Sequence, residues 1–117
     1  MKVQVEMDAF EPLRAIQSEI HDCAVAKGWY DGSSDRNPAE LIALMHSELS
    51  EALEAFRTGN PPDKHCPEFG NAEVEFADCI IRILDAAEHM GLDVVGAMKA
   101  KMAANWDREP RHGGKVY

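Results

Sequence analysis

Residues 72–87 constrain this chain more than any other stretch. Placed on a helix at about 100° per residue, Ala72, Val74, Phe76, Ala77, Cys79, Ile80, Ile81, Ile83, Leu84 and Ala87 cover well over half the circumference. The polar residues in the middle of that helix keep to a stripe of roughly 100°, holding Glu75, Asp78, Arg82 and Asp85. A helix that is apolar nearly all round must be central to its fold. Its narrow stripe then faces either water or a functional site.

The neighbouring segments are helical too. From about residue 11 to 27, Phe10, Leu13, Ile16, Ile20 and Ala24 recur at helical spacing, and Gly28 follows as a stop. Residues 30–37 read as a loop. Asn37 before Pro38, with Glu40 three positions on, gives an N-cap, a first-turn proline and a near capping box. The second helix therefore spans about 38 to 57 and stops at Gly59, ahead of Pro61-Pro62. Asn71 is the expected cap of the third helix, over about 72 to 90, which Gly91 closes. Asp93 caps a last helix running to about 108, where Pro110 forbids continuation. No stretch shows the period-two alternation of a strand. The chain reads as one all-α domain over residues 1–117, a four-helix bundle.

Charge narrows the function. The 117 residues carry 12 Lys and Arg against 21 Asp and Glu, a net −9. Such a balance disfavours nucleic acid, whose phosphates need a basic face. The hydrophobic fraction of 45% argues against disorder. The charge is also unevenly divided: −3 over residues 1–39, −8 over 40–90 and +2 over 91–117. The first dozen residues lack the apolar stretch of a signal peptide. No apolar run approaches the roughly 18–20 residues of a membrane span. Cys23, Cys66 and Cys79 form no C-x-x-C pair, so the expected setting is a reducing cytoplasm.

The carboxylates carry the chemistry. On the second helix Glu48 falls within the apolar half, between Ala55 and Leu41, and Glu51 sits at its border one turn along. An ionised carboxylate in such a place is costly unless paired or bound to metal. E48-x-x-E51 and E75-x-x-D78 each put two carboxylates on one helix face, and antiparallel helices would turn both pairs toward a common gap. Four close carboxylates repel one another, and a divalent cation is the simplest compensation. Oxygen-only ligands suit Mg²⁺ or Mn²⁺. A di-iron centre needs Glu-x-x-His on facing helices, and the sole match, Glu109 to His112, is broken by Pro110. On the last helix Lys101, Asn105 and Arg108 fall within about 60° of one another on the wheel, with Val95, Met98, Met102 and Trp106 to one side, facing the core. Lys115 lies beyond. These basic residues are either a solvated helix end or phosphate contacts.

The two pairs, separated by a 23-residue gap, resemble the signature of the MazG-like all-α nucleoside triphosphate pyrophosphohydrolases. Gly28-Trp29, "HSELSEALEAFR" (46–57), "EFADCIIRILDAA" (75–87) and "KMAANWDREPRHGGK" (101–115) extend the likeness. One departure is Ser47, where the family often has an acid. The resemblance implies Mg²⁺-dependent cleavage of a (d)NTP between the α- and β-phosphates. Glu48, Glu51, Glu75 and Asp78 would hold the metal, and Glu48 or Glu51 would also activate water. It further implies that Lys101, Asn105, Arg108 and Lys115 contact the phosphate chain or help fix the metal site, and that a homodimer or homotetramer completes the bundle. Trp29 either stacks on the base or packs the helix end. Two other readings are a non-catalytic helical nucleotide- or metal-binding or assembly module, and a phosphoribosyl-ATP pyrophosphohydrolase.

Overall fold

The computed structural model describes residues 7–32 and 35–117, and all of its extended elements are helical. A 3-10 turn, Met7–Phe10, leads into α1 (Glu11–Ala26), followed by α2 (Pro38–Arg57), α3 (Asn71–Met90) and α4 (Val94–Trp106). A single turn, Arg111–Gly114, comes last. α2 and α3 form the principal pair, α1 lies against α3, and α4 rests on the opening 3-10 turn. α3 is thus the central helix, as its all-round apolar pattern requires.

Local chemistry sets the boundaries. Asn37 is extended, and its Oδ1 accepts a hydrogen bond from Ala39 N (2.9 Å), so Pro38 opens α2 without leaving a donor orphaned. Gly91 takes the left-handed conformation (φ 67°) that ends α3. Asp93 Oδ1 accepts from Gly96 N (2.9 Å) and starts α4. Two expectations are corrected. Gly70, not Asn71, is the N-cap of α3, because Asn60 reaches across the loop and its Oδ1 accepts the Ala72 N–H (2.7 Å). Glu73 Oε1 in turn accepts the Gly70 N–H (3.3 Å). α4 ends at Trp106, which leaves Arg108 outside the helix.

The core is small. Leu41, Ala52, Ala55, Ala72, Cys79, Leu84, Ala86, Ala87 and Val95 are buried. The Cys79 thiol lies against the Met45 carbonyl (3.5 Å) within that core. Around it a continuous apolar face stays open: Leu49, Leu53 and Phe56 on α2 run beside Phe76, Ile80 and Ile83 on α3. The Phe56 and Phe76 rings meet across the pair, with centroids 6.3 Å apart. On α4, only Val95 of the apolar positions is buried, while Met98, Met102 and Trp106 are exposed. The wheel assigns those three to the core; beyond its first turn α4 is largely exposed, and among the described residues nothing buries them. The exposed surface totals 8638 Å², where a compact monomer of this mass shows about 6,300 Å². The radius of gyration, 16.8 Å, likewise exceeds the about 13 Å of a compact domain this long. Among the described residues, no helix is long and apolar enough to cross a membrane.

Candidate metal centre and adjoining pocket

The α2–α3 pairing brings three of the four predicted ligands together. Carboxylate oxygens of Glu48, Glu51 and Glu75 all lie within 4.8 Å of one another. Glu48 and Glu75 are buried, and Glu51 is exposed at the rim. Asp78, one turn beyond Glu75, lines the adjoining pocket together with Glu48. Arg82, a further turn along, donates from Nε to Glu48 Oε1 (2.7 Å). Its guanidinium also sits 5.9 Å from the Trp29 ring centroid, a cation–π distance.

The cluster fits a divalent cation on two grounds. Its donors are hard carboxylate oxygens, and Glu75 Oε2 is buried with no hydrogen-bond partner. A cation, a water, or a proton shared with Glu48 or Glu51 would satisfy that atom.

Proton affinities follow from this crowding. Burial pushes the Glu75 carboxyl up, the neighbouring Glu51 and Glu48 carboxylates add to it, and it rises to about 8. Burial would raise Glu48 as well, but the hydrogen bond from Arg82 and its positive charge hold it below its ordinary value. Asp78 is raised, first by burial and then by the Glu48 charge. Glu75 therefore keeps a proton more tightly in the folded chain than in the unfolded one. Its stabilising effect is complete below its ordinary value of 4.5 and is lost as pH rises through about 8. The cation-free protein is expected to lose thermal stability across that window. Since ligating carboxylates must be ionised, Mg²⁺ binding at pH 7 is expected to release about one proton. Calorimetry in buffers of different ionisation enthalpy measures it, and binding without proton release would contradict the assignment.

Beside the cluster is a pocket of about 400 Å³ between α1, α2 and α3, with Lys27, Trp29 and Arg36 from between α1 and α2. Its walls are mixed: Ile20, Leu41, Leu44 and Ile81 are apolar, Trp29 is aromatic, and Lys27, Arg36 and Arg82 are basic. At one end Asp85 is held by Tyr30, whose hydroxyl donates to Oδ2 (2.7 Å), and by His21 Nδ1, 2.8 Å from Oδ1. The sequence had singled out Trp29 and the Arg82/Asp85 stripe, but not His21, Tyr30, Lys27 or Arg36. Those four lie outside the periodic positions that mark α2 and α3.

The basic tail is placed elsewhere. Lys101 and Asn105 line a shallow groove on α4 with Val94, Ala97, Met98 and Met102. Arg108 and Lys115 are exposed, and neither they nor Lys101 and Asn105 line the carboxylate pocket. The cause is the departure of α4 from the bundle. Within one chain, the predicted phosphate contacts and the predicted metal ligands do not share a pocket.

Comparison with known proteins gives one informative match. The chain is 34% identical over 71 residues to a dATP/dGTP diphosphohydrolase of Cyanophage S-2L. The match takes in 61% of this chain and 56% of that protein, so it spans about half the relative's length. No family model matches, and no solved structure does. The similarity supports a relationship to nucleotide pyrophosphohydrolases.

Proposed function

We propose that this chain is a MazG-like, Mg²⁺-dependent nucleoside triphosphate pyrophosphohydrolase, with Mn²⁺ as an alternative ion. It converts a (d)NTP to the monophosphate and pyrophosphate. The observation that carries the reading is the Glu48–Glu51–Glu75 cluster, with Glu48 and Glu75 buried and one oxygen unpartnered, beside a pocket of nucleoside size that Glu48 also lines. The similarity to the phage diphosphohydrolase supports it and puts purine deoxynucleotides first among the candidate substrates.

In this reading Glu48, Glu51, Glu75 and Asp78 hold the cation. Once bound, the cation supplies Lewis acidity toward the α-phosphate and lowers the pKa of water. Glu51, the exposed carboxylate of the cluster, accepts the proton of the attacking water, while Arg82 fixes Glu48 in its anionic form. Water adds to the α-phosphorus, the bond to the bridging oxygen breaks, and pyrophosphate leaves. Phosphoryl transfer of this kind depends mainly on positioning and charge. The pocket supplies the positioning: Trp29 offers a face for the base, and Lys27 and Arg36 offer charge for phosphate oxygens.

A second copy of the chain covers the open α2–α3 face, in a homodimer or homotetramer. Excess exposed surface and an exposed α4 both favour it. Lys101, Asn105, Arg108 and Lys115 then contact phosphate across the subunit boundary. The free cysteines suit a cytoplasmic setting.

The test is a panel of canonical and modified nucleotides incubated with Mg²⁺ and separated by ion-exchange chromatography. Monophosphate and pyrophosphate in equal amounts are expected from at least one of them. Absence of monophosphate at long incubation would leave a binding module instead.

A further inference from the structure

The loop between α2 and α3 carries no periodic signal, yet it holds a buried carboxylate. An antiparallel bridge between Pro62 and Gly70 closes the loop, and Asn71 N donates to Pro61 O (2.7 Å). Inside it, Asp63 is only 7% exposed. Its Oδ2 accepts the backbone N–H groups of His65 and Cys66, both at 2.9 Å. Those two bonds hold its carboxyl below the ordinary value, so it is ionised.

Asp63 points at the first residue of α3. The Asn71 amide satisfies both its ends only with its nitrogen turned toward two carboxylates. Nδ2 then donates to Asp63 Oδ1 (2.9 Å) and to Glu75 Oε1 (3.3 Å). Asn71 and Glu75 are four residues apart and so share a helix face. Capping does not account for this arrangement. Gly70 is the N-cap, and the Ala72 N–H is taken by Asn60.

We propose that Asn71 and Asp63 are positioning residues for the cation site: Asn71 ties back Glu75 Oε1 so that the unpartnered Oε2 faces Glu48 and Glu51, and Asp63 fixes Asn71. The inference rests on the reading of the cluster as a cation site, and it assigns the 59–70 loop a role in that site. Partners that orient a ligand from behind typically change metal affinity by about 10–100-fold when removed.

The experiment is a Mn²⁺ titration followed by electron paramagnetic resonance, on the full chain without nucleotide. Asn71→Ala and Asp63→Ala are each expected to weaken Mn²⁺ binding by about 10-fold or more. Asn60→Ala removes a different tether between the loop and α3, the bond to Ala72 N, and touches no carboxylate. It is expected to lower the melting temperature while leaving Mn²⁺ affinity within about 2-fold of the parent, which a purely structural role of the loop would not allow. Should Asn71→Ala fold poorly, Asn71→Ser makes the same test. Unchanged affinity in folded Asn71 and Asp63 variants, with binding intact in the parent, overturns the inference alone. Equal loss in Asn60→Ala also overturns it, leaving only loop stability. No binding by the parent protein overturns the cation site and this inference together.

Discussion

Glu48→Gln is expected to lower the rate of pyrophosphate release by about 10³-fold, on the order of 4 kcal/mol of barrier, with helical content unchanged. Glu48 is buried beside Glu51 and Glu75 and is held by Arg82. Glutamine keeps an Oε1 that can accept the Arg82 Nε–H, so the local packing survives. What is lost is a formal negative charge at the proposed cation site and, with it, one proposed anionic ligand. Asp78→Asn should act in the same direction, because Asp78 lines the pocket beside Glu48. Steady-state kinetics with circular dichroism as the folding control measures both. Full activity in both variants would remove these carboxylates from the site.

Assembly should give the next largest effect. Leu53 and Ile80 are 62% and 57% exposed in the middle of the open α2–α3 face. Fully burying a side chain of this size is worth about 1.5–3 kcal/mol, and each copy in a symmetric pair contributes the same patch. The parent protein is expected to elute at two or four times 13.0 kDa. Its melting temperature should rise with protein concentration, as for any oligomer whose folding and association are linked. The double variant Leu53→Glu with Ile80→Glu places carboxylates where the partner would dock. It is expected to elute at the mass of one chain, or to lose cooperative unfolding. A parent that stays a monomer at micromolar concentration would contradict the covered face.

Much of this architecture is legible in the sequence because it is set by local chemistry. Asn37-Pro38 and Gly59 bracket α2, whose bounds the structure places at Pro38 and Arg57. The helical wheel puts Glu48 in the apolar half, and the structure buries it. The E-x-x-E and E-x-x-D spacings likewise settle which helix faces carry the carboxylates. What escapes the wheel is whatever depends on contacts between distant segments. The period of α4 marks an apolar face, but not whether any other part of the chain reaches it, and Met98, Met102 and Trp106 stay exposed. Asn71 looked like a helix cap because caps are usually supplied by the preceding residue. Here Asn60, 12 positions away from Ala72, makes that bond, and Asn71 is released to hold Asp63 and Glu75. The one local clue was the four-residue spacing of Asn71 and Glu75.

The charge asymmetry takes on a different meaning in the folded chain. Three carboxylates of the acidic middle segment, Glu48, Glu51 and Glu75, meet between α2 and α3, while the tail's Lys101, Arg108 and Lys115 are exposed on α4 and beyond it. A small nucleotide arriving with its cation is compatible with a net −9 in a way that a long polyanion is not. The proposed reaction asks for that combination: carboxylates for the ion, and scattered cations for the phosphate oxygens the ion leaves free.

The central claim is that water attacks the α-phosphorus at the carboxylate cluster. Hydrolysis of a cleaved nucleotide in ¹⁸O-labelled water, with mass spectrometry of both products, tests it most directly. The account predicts one ¹⁸O in the monophosphate, none in the pyrophosphate, and no products when the divalent cation is chelated. Label in the pyrophosphate, a nucleoside diphosphate with inorganic phosphate, or undiminished turnover under chelation would contradict it.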